Sequence, residues 1–260
     1  AIAREAGSGA VEMLPVDLAD LDSVSALADE LARRRETVDL LVCNAGVMPA
    51  RGAVSRQGFE LMFGVHYLAN HLLTHKLLAS GVIPNDAFAR NGRRGTAIPR
   101  IVFVTSETHR SPKALDLDRF GAPVPYGVTD GVAWYGYSKL ALTTYACELG
   151  RRLAPGGVPS VGVHALCPGP VDSRLAREAP ALLKPILAPV MKAFFRSPAA
   201  AAAPVLYLGI APELAGDTGW YMHLMRRKEA APAALDEERG RALWDRGEAA
   251  LERWLLDGPG

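Results

Sequence analysis

Three short runs, Val38 to Cys43, Arg100 to Thr105 and Val161 to Leu166, constrain this chain more than any other feature. Each has strand length and is almost continuously apolar, the pattern of a strand buried on both faces. Between them lie segments of helical period. Strands separated by helices build a parallel sheet with helices on both faces, so the expected fold is α/β and doubly wound. Val11 to Val16 predicts a further strand ahead of these three, and Gly219 to Met222 a short edge strand after them. Helices are expected after Asp22 as N-cap, from about Ser55 through Leu78, and from near Trp134 past Leu149. A long loop rich in Pro and Gly fills the gap up to about Val132. Ser197-Pro198 reads as the cap and first position of an Ala-rich helix. The last helix carries Leu243, Trp244, Leu251, Trp254 and Leu255 on one side.

Bulk properties narrow the function. The 260 residues, 49% hydrophobic, suffice for one large domain, here expected to span the whole chain. A net charge of +1 argues against nucleic acid as the main partner. No run approaches the roughly 18 apolar residues of a membrane-spanning helix. Cys43, Cys147 and Cys167 are widely spaced, odd in number and form no CxxC pair. They argue against a zinc site or a disulfide framework, so no metal is expected and a reducing compartment, the cytoplasm, is. The first residue is Ala rather than Met, and no signal or transit peptide is visible.

The residues that carry chemistry sit where the strands end. Tyr135 and Lys139 are four apart, one above the other on a helix face. A phenol with a pKa of about 10 is a poor acid or base at neutral pH, and a nearby ammonium lowers that value. Chance also produces a Tyr-x-x-x-Lys pair, so the match is weak alone. Ser106 closes the second of the three strands, at the carboxyl edge where parallel sheets bind ligands. It can donate to a substrate oxygen; a turn or capping residue is the competing reading. Asn44-Ala45-Gly46 closes the first of the three strands, with small residues that let a ligand approach the backbone. Pro168-Gly169-Pro170-Val171-Asp172-Ser173 closes the last, as a rigid turn with exposed amides.

Taken in order, strand then Asp17-Leu18, strand then Asn44-Ala45-Gly46, strand then Ser106, Tyr135-x-x-x-Lys139, and strand then Pro168-Gly169 resemble the short-chain dehydrogenase/reductase family. The resemblance covers about Val11 to Trp254. Gly58-Phe59-Glu60, Ser138-Lys139-Leu140-Ala141, Ser197-Pro198 and Leu243-Trp244 are similar to its retinol dehydrogenase-like and protochlorophyllide reductase-like branch. The resemblance implies a Rossmann-like sheet and hydride transfer between NADP or NAD, with NADP favoured, and a small, apolar alcohol or carbonyl. It implies Tyr135 as general acid or base, Lys139 as the group that lowers its pKa and holds the cofactor ribose, and Ser106 as the orienter of the substrate oxygen. Asp17 is placed near the adenine, and Asn44, Ala45 and Gly46 on the adenosine side. Pro168, Gly169, Val171 and Ser173 flank the nicotinamide and phosphates. Residues 175–197 resemble a substrate-covering segment, and a homo-oligomer follows from family habit.

Two departures stand out. His66 occupies the position where the family places an asparagine that supports a proton relay. With a pKa near 6.5, His66 can relay protons, and it can equally be a satisfied core histidine. The family's first two strands, a helix and the glycine-rich, pyrophosphate-binding turn are missing from the sequence, which is expected to be a truncated form of a complete enzyme. That leaves two alternatives: a binding or regulatory protein that kept the fold without catalysis, or a sugar-nucleotide epimerase or dehydratase, against which the short C-terminal region argues.

Overall fold

In the computed structural model, residues 11–88, 98–170 and 197–256 are described. Among them, five strands form one sheet in the order β1-β2-β3-β4-β5: Leu40–Cys43, Arg100–Val104, Gly162–Cys167, Tyr221–His223 and Arg226–Lys228. The first four run parallel, and β5 turns back antiparallel on β4. The three apolar runs are adjacent strands, as expected of an α/β sheet, but β1 is the edge strand among the described residues and is not buried on both faces: Leu40 and Leu41 are half-buried and Val42 is 37% exposed, because only β2 pairs with it. The segment expected at the edge is instead covered by β5, a hairpin return whose exposed Arg226, Arg227 and Lys228 carry no apolar signal.

The two faces of the sheet are read off the alternation of each strand. Ile101, Phe103, Val163, Ala165 and Tyr221 point into the larger core. Helices α1 (Leu21–Arg33), α2, α3 (Val128–Arg152) and α5 (Glu237–Leu256) cover that face. Helix α2 runs from Leu61–Phe63 through a π turn at Gly64–Leu68 into Ala69–Ala79. Val102, Val104, Leu166 and Met222 point the other way, onto α4 (Pro198–Ile210). Ser197 caps α4 by accepting from the Ala200 amide at 3.2 Å, with Pro198 at the first helical position. The buried Arg100 closes its other end, donating to the carbonyls of Leu208 and Ala211.

Several elements differ from the sequence expectation. Val11 to Val16 is not a strand, and Met13 is 89% exposed. An isolated extended segment with no neighbouring strand has no ladder to join, and its apolar residues bury little. Helix α1 is capped by Asp20 rather than Asp22: Asp20 Oδ1 accepts from the Asp22 amide at 3.1 Å. Helix α2 starts at Leu61 rather than about Ser55, because Gly58 takes φ +86° and Val54 bridges to Glu60. Glu60, buried, then caps the helix by accepting from the amides of Met62 and Phe63 at 3.0 and 2.7 Å. Helix α3 begins at Val128, six residues before Trp134, and the preceding loop contains 3₁₀ turns at Glu107–Arg110 and Leu117–Arg119.

Candidate active site

In register, Cys43 pairs with Phe103 and Val104 with Leu166, so the carboxyl ends of β1, β2 and β3 lie along one edge. The turns that follow them, at residues 44–46, 105–108 and 168–170, line a single cleft of about 1230 Å³. Ser106, Tyr135, Lys139, Asn44, Ala45, Gly46, Pro168 and Gly169 all face this cleft. Its opposite wall is apolar and comes from α4 through Pro198, Ala201, Ala202, Val205 and Leu206.

Helix α3 supplies Tyr135 and Lys139 from successive turns. Lys139 is 3% exposed, and its Nζ donates to the Val104 carbonyl at 3.0 Å, pinning α3 to the end of β2. The same Nζ lies 5.6 Å from the centre of the Tyr135 ring, so the two side chains share a face as their spacing requires. Gly136 permits the close seating of this helix, since a Cβ there would approach the Thr108 carbonyl oxygen to 2.8 Å. Burial pushes the Tyr135 phenol up to about 12 and the Lys139 ammonium down to about 8, the latter partly opposed by Cys167. The expected acidification of the phenol by the ammonium is thus not met in the protein alone. Burial is the largest cause for both groups.

Ser106 has the capping role that competed with its reading as a ligand donor. Its Oγ accepts from the Thr108 amide at 3.2 Å, capping the 3₁₀ turn. Since the amide is the donor, the hydroxyl proton remains available for a ligand in the cleft. The Ser106 carbonyl is held by buried His109, whose Nε2 accepts from the Ala231 amide at 3.0 Å and whose Nδ1 must therefore donate to that carbonyl at 2.6 Å. Glu107, next in the chain, accepts from Tyr221 Oη at 2.8 Å and Lys228 Nζ at 3.1 Å. Burial raises its pKa, but these bonds and nearby Arg110 outweigh that and leave the carboxyl at about 2.

His66 has the bonding of a satisfied core histidine. It is fully buried and is not among the cleft-lining residues. Its Nε2 accepts from the Val47 amide at 3.0 Å, which places the proton on Nδ1. Nδ1 then donates to Ser138 Oγ at 2.8 Å, and Ser138 donates to the Tyr135 carbonyl at 2.9 Å. Burial, reinforced by the Lys139 charge, holds the imidazole well below its usual pKa. His66 lies in the π turn of α2, where its carbonyl accepts from Asn70 Nδ2 at 2.8 Å. Ser138 is the positioning residue that sequence reasoning missed. It lies inside the Tyr-x-x-x-Lys motif, but its partner is distant in the chain and no local signal links the two.

Asp17 is not brought to the cleft. It sits before α1, where its amide donates to Ser23 Oγ and its Oδ1 accepts from the Ala19 amide. Val171 and Ser173, with all of 175–197 except Ser197, lie outside the described residues.

No protein-family model matches the chain. Among curated proteins, retinol dehydrogenase 14 of Homo sapiens is 33% identical over 247 residues, covering 94% of this chain and 68% of the relative. Polyprenol dehydrogenase of Danio rerio is 34% identical over 243 residues, covering 94% and 71%. Among solved structures, an uncharacterised protein from Mycobacterium Paratuberculosis superposes with a TM-score of 0.66 at 25% identity, over 96% of this chain and 79% of that one. The angucycline C-6 ketoreductase LanV with bound NADP shares the fold, with a TM-score of 0.56 at 23% identity over 89% and 78%.

Proposed function

Because the chain belongs to the short-chain dehydrogenase/reductase family, whose members are NAD(P)-dependent oxidoreductases, we propose that it reduces an apolar carbonyl compound through Ser106, Tyr135 and Lys139, with NADPH preferred. The observation that carries this reading is the convergence of these three side chains on one cleft at the carboxyl edge of the sheet.

The residues fit the nicotinamide side of such a cofactor. Gly46, on the cleft, lets the backbone pack close to His66 and Lys139: a Cβ there would lie 3.0 Å from His66 Nε2 and 3.6 Å from Lys139 Nζ. Lys139 uses one of its three N–H donors on Val104, and the remaining two suit ribose hydroxyls. When bound, the nicotinamide supplies the hydride. The rest of the chemistry belongs to the chain. Tyr135, with its pKa raised to about 12, is a neutral phenol at physiological pH and is ready to give its proton to a carbonyl oxygen. Ser106 donates its free O–H to the same oxygen and fixes its position. The nearby Lys139 charge favours the phenolate left behind. Running the reaction backwards requires the phenolate first. The α4 wall of Ala201, Val205 and Leu206 matches an apolar substrate.

The test uses the protein expressed from its complete reading frame, with NADPH or NADH and straight-chain aldehydes of increasing length. The expected result is cofactor oxidation, faster with NADPH, with kcat/KM rising with chain length. Absence of oxidation with every aldehyde and both cofactors contradicts the proposal.

A further inference from the structure

We propose that His71, His75 and Glu248 form a site for a divalent transition-metal ion, best matched by zinc, that fastens α5 to α2. The three residues stand apart from the cleft. His71 and His75 are four apart on α2 and share a face, while Glu248 comes from α5. One ligand atom of each lies within 4.8 Å of the others.

The first argument is spacing. His75 Nδ1 and Glu248 Oε1 are 3.2 Å apart. Neighbouring ligand atoms in a tetrahedral zinc site with bonds of 2.0–2.1 Å are about 3.3 Å apart, so this edge is already set. The second is an unpartnered atom. The Tyr67 hydroxyl donates its single proton to the Leu243 carbonyl at 2.7 Å. Its contact with His71 Nδ1 at 3.2 Å must then be accepted by the phenol oxygen, so Nδ1 of His71 carries the ring proton. That fixes the tautomer with a lone pair on Nε2, a fully buried nitrogen with no hydrogen-bond partner. A histidine with one ring nitrogen oriented by a polar group and the other carrying a free lone pair is prepared as a metal ligand.

The third is the close seating of α5. A Cβ at Gly247 would run into the Tyr67 hydroxyl and His71 Nδ1, so only glycine lets Glu248 come this near. Two imidazoles and a carboxylate suit zinc and leave a fourth position for water. The His75 and Glu248 side chains are 20% and 39% exposed, which gives an ion a route from solvent. A simple His75–Glu248 ion pair explains the surface half of this arrangement but leaves the Nε2 lone pair of His71 without a purpose.

The experiment strips the full-length protein with a chelator, titrates it with Co²⁺ and then displaces the cobalt with Zn²⁺. The expected result is a saturable visible absorption at about one equivalent, lost on adding zinc, together with a higher Tm in the zinc-bound form. Glu248→Gln and His75→Asn, both at partly exposed positions, should each weaken binding at least tenfold while circular dichroism stays unchanged. No saturable cobalt absorption overturns the proposal. So does undiminished binding in both variants, or a thiolate-to-cobalt charge-transfer band that puts the ion on a cysteine.

Discussion

The Nδ1 of His66 lies 2.8 Å from Ser138 Oγ, and that hydroxyl lies 2.9 Å from the backbone carbonyl of Tyr135. Through this chain a buried histidine on α2 fixes the helical turn that carries the proton donor. His66→Ala removes its bond to Ser138 and leaves the Val47 amide unsatisfied. We expect a loss of about 2–4 kcal/mol in stability and a reduced kcat. The shape of the pH–rate profile should stay the same, because His66 is held neutral. Loss of a profile limb near the usual histidine pKa in this variant would instead identify a proton relay.

Lys139→Met should separate stability from activity. The ammonium is buried and its pKa is driven down to about 8, so at neutral pH the fold carries the desolvation of a charge. Methionine fills similar space without it, at the loss of the bond to the Val104 carbonyl. The expected outcome is a net gain of about 1–2 kcal/mol by denaturant unfolding, with hydride transfer falling at least a hundredfold. A less stable, equally active variant contradicts the assigned role.

Gly136→Ala puts a methyl group against the Thr108 carbonyl oxygen, a backbone atom that cannot rotate away. Either α3 or the 3₁₀ turn after β2 must shift, which separates Tyr135 from Ser106. A cost of about 1–3 kcal/mol is expected, with a lower kcat and a nearly unchanged KM for the cofactor. Gly131, whose Cβ would meet the Tyr126 ring at 3.6 Å, is the control: alanine there should leave kcat alone.

Acid should destabilise the protein earlier than carboxylate titration alone would. Burial lowers the pKa of His66, His109 and His164, in the last case to about 4. In the unfolded chain these groups take up protons below about pH 6.5, while in the fold they stay neutral, so stability falls as pH drops below that value. Each contributes about 1.4 kcal/mol per pH unit while its folded form remains neutral. Urea unfolding at a series of pH values between about 7.5 and 5 checks this. His164→Leu should remove one histidine's share of the slope.

Much of this was legible in the sequence because the information is local. The three apolar runs became β1, β2 and β3, and the turns after them came together because parallel, in-register strands end at one edge. Tyr135 and Lys139 fell on one face through helical geometry alone. What stayed hidden depends on partners distant in the chain. The role of Ser138 requires His66, and the tautomer of His66 requires the Val47 amide. The sequence placed an ammonium beside the Tyr135 phenol, but it carried no sign of the burial that raises the phenol and lowers the ammonium in the fold. Val11 to Val16 had the composition of a strand without a neighbour to pair with.

The central claim is that Tyr135 delivers the proton to the substrate oxygen. Single-turnover reduction of a long-chain aldehyde, compared between the unaltered protein and Tyr135→Phe, tests it most directly. The rate should fall about 10²–10⁴-fold, with Tm and cofactor affinity unchanged, because only one hydroxyl has been removed. A Tyr135→Phe protein that reduces the aldehyde at its original rate contradicts the account.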